Sequence, residues 1–180
     1  MSIFQRNARK YRCGTKSDSQ VTTSNHFKDN AASADTSELT RLDNQLCFAF
    51  YSVSNALTRM YGPVLAPLEL TYPQYLVMLV LWERAPRGMG ELSSQLGMDF
   101  GTLSPLVKRL EKSGRVTRTR DPEDERRVIV GLTKAGEALR EQAAGIPLEM
   151  SCQIGLPQDE IVAVRDAVKR FLGAISQEQR

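Results

Sequence analysis

The order of helical and strand-forming segments between residues 90 and 132 constrains the fold more than any other feature of this chain. A short helical pattern over residues 90–96 stops at Gly97, a residue type that commonly ends helices. Asp99 is placed to cap a second helix over residues 100–113. Two short segments rich in β-branched residues follow and predict a β-hairpin. We therefore expect a helix-turn-helix unit followed by a hairpin wing.

The predicted hairpin carries arginines at its tip. Its strands are residues 116–120 and 128–130, and the turn between them is polar and contains a proline. Asp124 lies in this turn and is expected to shape it, and Arg126 and Arg127 follow. Arginine commonly enters the narrow minor groove of DNA, so a wing of this kind favours DNA binding.

The second helix of the pair has a polar surface suited to the major groove of DNA. The surface carries hydroxyls and cations at four positions, which are Thr102, Ser104, Lys108 and Arg109. Hydroxyls near a helix N-terminus suit base or phosphate contacts, and cations suit phosphates. Taken singly, the helix and the hairpin are more simply explained as solvated charged surfaces. Their order along the chain makes DNA binding the better interpretation.

The rest of the chain is predicted to be mostly helical. Over residues 42–64, apolar side chains recur at steps of three and four and form one continuous stripe. Thr71 and Gln74 have the spacing of a capping box, in front of an almost wholly apolar helix typical of a buried core. Further helices are expected over residues 134–144 and near the C-terminus, with helix-breaking residues between them that leave Cys152 in an irregular stretch.

The first helix and the last two helices carry more apolar surface than one small core needs, and we expect them to form the dimer interface. Phe48 and Tyr51 lie off the main stripe of the first helix, which gives that helix a second apolar face. Such a face suggests packing against another subunit. We therefore predict a mainly α-helical winged-helix homodimer with a small β-hairpin. In each subunit the second helix of the helix-turn-helix unit should enter one DNA half-site, and the two half-sites should lie about 34–36 Å apart.

Composition and charge narrow the class of protein further. Residues 1–38 contain almost no aliphatic side chains, so we predict a disordered tail in front of one domain over residues 39–180. The net charge is only +3, but eight of the 24 basic residues lie between residues 108 and 127. That clustering indicates a local surface facing phosphates. No apolar run is long enough to span a bilayer and no secretory signal is recognisable, so we expect a cytoplasmic protein without membrane contact.

The cysteine and histidine content argues against a metal or cofactor site. The three cysteines are far apart in the sequence and His26 is the single histidine. An odd number of widely spaced cysteines does not fit a disulfide scaffold or a zinc site. We expect no metal and no cofactor, and we assign no role to Cys13.

Four segments of the chain resemble a known family. Residues 124–136 resemble the wing signature of MarR-type regulators, Asp-x-Arg followed by Leu-Thr-x-x-Gly. Residues 42–51, 70–83 and 101–111 resemble the OhrR branch of that family, the repressors that sense organic hydroperoxides. The resemblance implies a repressor rather than an enzyme, binding double-stranded DNA at a palindromic operator. The chain departs from the family at Phe100, where a small polar residue is usual. We count Phe100 among the DNA-binding residues and expect an altered operator preference.

The resemblance also assigns a role to Cys47. A lone cysteine on an apolar helix is usually a small buried hydrophobe, but the family's sensing cysteine falls at this position. Tyr61 and Tyr72 resemble the tyrosines whose phenol groups hydrogen-bond that sulfur and favour its reactive thiolate form. An organic hydroperoxide would then oxidise the thiolate to a sulfenic acid. The resemblance implies that Cys152 of the partner subunit converts this acid to a disulfide and that DNA is released.

Two alternatives from other functional classes stay open. In the first, the chain is a MarR-type regulator that responds to a bound phenolic or drug-like ligand, and Cys47 is merely buried. In the second, the chain is a thiol peroxidase that turns over peroxide. The absence of an alternating strand and helix pattern argues against the second, because thioredoxin-like folds need one.

Overall fold

The computed structural model describes residues 36–177. The chain divides into two compact units, Met1–Ala49 and Phe50–Arg180. The predicted disordered tail over residues 1–38 therefore lies almost wholly outside the described residues, as does Cys13. The end of that segment takes part in a helical turn, α1 (Thr36–Leu39), which the sequence analysis did not expect.

The first unit ends in a short stretch of hydrogen-bonded turns. A 3-10 helix (Leu42–Asn44) is followed by Gln45, whose backbone is extended, so the predicted helix begins at Leu46 rather than at Leu42. The Gln45 side chain donates hydrogen bonds to the carbonyl oxygens of Leu39 and Arg41, at 2.6 and 3.2 Å. These bonds hold the turn that precedes the long helix.

The next two helices are joined by a tight turn. Helix α2 (Leu46–Leu65) is followed by a 3-10 helix (Ala66–Leu68), so the helix ends near its prolines as predicted. Glu69 then has a positive φ of 52°, which turns the chain towards helix α3 (Tyr72–Glu83). The backbone N–H of Thr71 donates to Gln74 Oε1 at 2.9 Å, which confirms the predicted capping interaction.

Helix α3 forms the centre of the hydrophobic core. Its buried apolar side chains point in nearly all directions around the helix: Tyr75, Val77, Met78, Val80, Leu81 and Trp82. Helices α4 (Met89–Leu96) and α5 (Phe100–Lys112) pack on α3 and on each other, joined by Gly97 at a positive φ of 62°. The predicted helix-turn-helix unit is thereby confirmed.

A three-stranded antiparallel sheet follows the helix-turn-helix. Strands β2 (Val116–Arg120) and β3 (Val128–Leu132) pair from Val116 opposite Leu132 to Arg120 opposite Val128. This is the predicted hairpin. Strand β1 (Arg87–Gly88) pairs with the other side of β3 and was not predicted, because two residues carry no alternation of apolar and polar side chains.

Three helices complete the described part of the chain: α6 (Lys134–Ala143), α7 (Ile146–Ile154) and α8 (Gln158–Gln177). The prediction that Cys152 lies in an irregular stretch is wrong, because the residue lies within α7. Pro147 is in the first turn of that helix, where its missing N–H costs nothing, and Gly155 at a φ of 71° ends it. In the second unit, Phe50 of α2 stacks on Phe171 of α8, with ring centroids 5.2 Å apart.

The base of the hairpin joins α6 and the core helix through main-chain contacts. Gly136, in the first turn of α6, packs so closely on Arg115 that an added Cβ would overlap the Arg115 carbonyl. The Gly136 carbonyl accepts a buried hydrogen bond from Trp82 Nε1 at 2.8 Å. Thr133 caps α6, accepting from the Gly136 N–H at 3.0 Å and donating its own N–H to the Arg115 carbonyl at 3.1 Å.

Replacing Gly136 by alanine should destabilise the fold because the new methyl group forces the Arg115 backbone away. We expect Gly136→Ala to lower the free energy of unfolding by about 1–3 kcal/mol, measured by urea denaturation. Gly90→Ala is the matched control, since Gly90 also lies in the first turn of a helix and its added Cβ would meet no atom within 4 Å. Equal stability of the two variants would contradict the close approach.

Candidate nucleic-acid interface and thiol sites

The start of helix α5 is fixed by the carboxylate of Asp99. Its two oxygens accept from the Thr102 backbone N–H and from the Thr102 hydroxyl, both at 2.8 Å. These hydrogen bonds stabilise the charged form and hold the pKa of Asp99 below its ordinary value. The Thr102 hydroxyl proton is therefore engaged within the protein, and its oxygen is left with acceptor capacity only.

Helix α5 has one buried side and one exposed side. Its buried side chains are all aliphatic: Leu103, Leu106, Val107 and Leu110. Among the predicted DNA-binding residues, Phe100, Thr102, Lys108 and Arg109 are exposed, and Ser104 is half-buried. The helix therefore presents a mixed surface of cations, a hydroxyl and one aromatic ring.

Asp124 organises the tip of the hairpin. Its Oδ1 accepts from the backbone N–H of Arg126 at 3.0 Å, and its carbonyl accepts from the N–H of Arg127 at 2.8 Å. The Arg127 carbonyl in turn accepts from the N–H of Asp121 at 3.0 Å, which closes the turn. Both arginine side chains are exposed, so the tip presents two cations on a backbone held by Asp124.

Two arginines that were not predicted as site residues connect the hairpin to neighbouring parts of the fold. Arg118 of β2 forms an ion pair with Glu111 of α5, with 3.1 Å between Nη1 and Oε2. Arg115 donates from Nη2 to the Leu68 carbonyl at 2.8 Å and to Glu69 Oε2 at 3.1 Å. The alternation of side chains between the two faces of β2 could have indicated that Arg118 points towards the protein, because it lies on the same face as the buried Val116.

Tyr61 and Tyr72 come together in an aromatic cluster. Their rings stack with centroids 4.4 Å apart, and Tyr75 lies 5.9 Å from Tyr61 and 6.2 Å from Trp82. Burial raises the pKa of all three tyrosines, and the neighbouring phenols raise the pKa of Tyr61 and Tyr75 further. The hydroxyl groups therefore stay protonated around neutral pH and can donate hydrogen bonds. Tyr75 was not predicted as a site residue, because its only signal in the sequence is its place on the core helix.

The two cysteines in the described part of the chain are free and exposed. Cys47 lies in the first turn of α2, and Cys152 lies near the end of α7. Exposure makes each thiol accessible to a small oxidant or to another thiol.

Residues 36–177 also bear on metal binding and on membrane insertion. Within them no group of three or more His, Cys, Asp and Glu side chains is arranged to hold a metal ion. No single helix of this part of the chain has the length and apolar character needed to cross a bilayer.

Comparison with known proteins gives consistent matches. Residues 59–142 match the family model described as transcriptional regulator SarA/Rot. The organic hydroperoxide resistance transcriptional regulator of Bacillus subtilis is 41% identical over 140 residues, which cover 76% of this chain and 93% of that protein. Reduced AbfR bound to DNA is 36% identical, with a TM-score of 0.64 over 78% of this chain and 98% of that one. Disulfide-formed AbfR is 34% identical, with a TM-score of 0.56 over 79% and 97%. AbfR is a protein of Staphylococcus epidermidis.

The helix-turn-helix, the hairpin and these matches define a winged-helix transcriptional regulator rather than an enzyme, so the thiol peroxidase alternative is not supported. The chain belongs to the MarR family and, within that family, to the OhrR type.

Removing the Asp99 carboxylate should lower stability in a pH-dependent way. Because the folded-state pKa of Asp99 is lowered, its contribution is present above the ordinary value of 3.8 and is lost as the pH falls through the lowered value. We expect Asp99→Ala to melt about 2–4 °C below wild type near neutral pH, with the difference shrinking as the pH falls below the ordinary pKa of an aspartate. Thermal melting followed by circular dichroism measures both effects.

The control for this prediction is Glu123→Ala, which removes an exposed acid from the hairpin turn without touching the helix cap. A melting difference for Asp99→Ala that stayed constant down to the lowest pH would contradict the assignment of the cap to the carboxylate.

Proposed function

We propose that this chain is a cytoplasmic, redox-responsive repressor that binds a palindromic DNA operator as a homodimer and releases it on oxidation by an organic hydroperoxide. The observation that carries the proposal is the free, exposed thiol of Cys47 in an OhrR-type chain. A cysteine serving only as a small core hydrophobe would be buried. The relative from Bacillus subtilis is named for organic hydroperoxide resistance, which supports the choice of oxidant.

The oxidation is a two-step exchange at sulfur. The Cys47 thiolate attacks the distal oxygen of the hydroperoxide, the O–O bond breaks, and the leaving alkoxide takes up a proton. The product is a sulfenic acid on Cys47. The thiolate of Cys152 of the partner subunit then attacks that sulfur, the sulfenic oxygen leaves as water, and a disulfide forms. The exposure of Cys152 on α7 supports its role in this second step.

Tyr61 and Tyr72 support the first step as hydrogen-bond donors. Burial keeps both phenols protonated, as their raised pKa values indicate. The two rings stack with centroids 4.4 Å apart, so both protonated phenols can donate hydrogen bonds to one nearby acceptor. A thiolate is such an acceptor, and donation to it stabilises the charged form that reacts.

The exposed apolar face of α8 supports the homodimer. Four of its large side chains recur along one side of the helix and are 40–58% exposed: Val164, Val168, Leu172 and Ile175. A contiguous apolar stripe on a soluble protein marks an interaction surface. Two copies of the chain packed through such stripes would present two α5 helices, as a palindromic operator requires.

DNA reading is assigned to α5 and to the hairpin tip. The N-terminal turn of α5, with Thr102 and Ser104, faces base edges in the major groove, and Lys108 and Arg109 contact phosphates. Arg126 and Arg127 reach the minor groove from the tip that Asp124 holds. Reduced AbfR was solved on DNA with a related fold, which supports this placement.

A regulator that responds to a bound ligand is the second candidate function. The observation in its favour is an open cleft of about 600 Å³ between the end of α3 and α6. Its charged lining is mixed, with the arginines Arg84 and Arg140 beside the acids Glu83, Glu137 and Glu141, and such groups can pair with a polar phenolic ligand. Under this candidate Cys47 has no role in release.

Replacing Cys47 should abolish the response to peroxide without abolishing DNA binding. We expect cumene hydroperoxide to weaken operator binding by wild type roughly tenfold or more in gel shifts, and dithiothreitol to restore it. Cys47→Ser should bind DNA as wild type does. Neither the peroxide concentration that releases wild type nor a tenfold excess over it should release this variant. Cys152→Ser should form no disulfide-linked dimer on non-reducing gels.

Outcomes of this experiment separate the two candidates. Release of Cys47→Ser at the same peroxide concentration as wild type would exclude the redox function. Release by an aromatic acid such as salicylate, equal in wild type and Cys47→Ser, would favour the ligand-responsive function.

Removing the wing-tip charge should weaken DNA binding in a salt-dependent way. We expect Arg126→Ala to make the negative slope of the log binding constant against the log salt concentration less steep by about 1–2. The reason is that each subunit of a dimer loses one phosphate contact or minor-groove cation. Fluorescence anisotropy at several salt concentrations measures the slope. Arg59→Ala removes the same charge from an exposed position on α2 and should leave the slope unchanged. Equal slopes for both variants would contradict a DNA contact at the tip.

A further inference from the structure

A large aromatic side chain is exposed at the first position of the reading helix. Phe100 is 57% exposed and does not belong to the hydrophobic core cluster of the described residues. The other exposed side chains of α5 named for DNA contact carry a hydroxyl or a positive charge. Phe100 therefore presents a different chemistry from its neighbours on the surface that is proposed to face DNA.

The backbone that carries this ring is held rigidly. Asp99 immediately precedes it and accepts two hydrogen bonds from Thr102, both at 2.8 Å. Gly101 follows, and a Cβ there would come within 3.0 Å of Asp99 Oδ1, so the first turn is tightly closed around the cap. The ring therefore projects from a fixed base, which is what selective contact with one group on DNA requires.

The chemistry of the major groove leaves one partner for an apolar ring. Three of the four base edges there offer only hydrogen-bond donors and acceptors, which a phenyl ring cannot match. Thymine alone adds an apolar group, its 5-methyl. Phosphates offer the ring nothing, and apolar side chains that wedge between base steps act from the minor groove.

We propose that Phe100 is a specificity-determining residue that packs on the 5-methyl group of a thymine in each operator half-site. The proposal rests on the proposed function, in which α5 lies in the major groove. It adds the chemical identity of one base that the operator must contain. It also gives a physical reason for an exposed aromatic at a position where a polar residue would be better solvated.

The test removes the methyl group alone. The reduced, full-length protein first selects its binding site from a library of randomised DNA duplexes. Each thymine of the selected site is then replaced by deoxyuridine, which lacks only the 5-methyl group, and binding is measured by fluorescence anisotropy. One symmetry-related pair of thymines should be sensitive, with about fourfold weaker binding for each methyl removed, because one buried methyl contributes an effect of that size.

The matched protein variants are Phe100→Ser and Phe100→Leu. Phe100→Ser should bind the thymine and deoxyuridine sites equally, while Phe100→Leu should keep part of the preference because its side chain is still apolar. Melting curves check that both variants fold, as expected for an exposed residue outside the core. At the same time, binding by both variants should keep the salt dependence of wild type, because no charge is changed.

Three results would overturn the inference. If no thymine position is sensitive to loss of its methyl group, Phe100 does not read thymine. If Phe100→Ser retains the full sensitivity of wild type, another residue makes the contact. If wild type selects no sequence from the library, the placement of α5 in the major groove fails, and the proposed function fails together with the inference.

Discussion

The close packing of Gly136 against the Arg115 carbonyl holds the DNA-reading elements to the core. Arg115 lies between the end of helix α5 and the start of the hairpin, and its N–H donates to the Leu110 carbonyl at 2.9 Å. The bond from Trp82 to the Gly136 carbonyl is buried, so losing it would leave an unpaired polar group in the interior at a cost of about 1–3 kcal/mol. The orientation of the hairpin thus depends on one position that accepts no side chain.

The proposed regulator separates its chemistry from its recognition surface. The thiol proposed to react lies at the start of α2, whereas the cations and hydroxyls proposed to face DNA lie on α5 and the hairpin. A sulfenic acid on Cys47 changes few atoms, so a disulfide with Cys152 of the partner subunit supplies the larger change. Closing that bond would bring the two alpha carbons to within about 7 Å and so fix the distance between α2 of one subunit and α7 of the other.

The features predicted correctly from sequence are those with strong local signals. Gly97, Asp99 and the β-branched strands each restrict the backbone at their own position, and together they specify the helix-turn-helix and hairpin. Strand β1 was missed because its two residues pair only through the tertiary fold. Helix α7 was missed because Gly145 and Pro147 suggest a break in the chain, although both are compatible with the start of a helix. The burial of Ile146 and Met150, which sequence spacing over nine residues hardly reveals, holds that helix in place.

The ion pair between Arg118 and Glu111 adds to the short connection over residues 113–115 that joins helix α5 to strand β2. A substitution on α5 that tilts the helix would carry β2 with it, and the arginines at the hairpin tip would shift along the DNA backbone. We therefore expect that exchanging α5 alone between relatives transfers base preference only in part. A functional graft would have to include the helix, the hairpin and the Arg115 junction between them. When operator specificity changes between relatives, we therefore expect substitutions in these three segments to occur together.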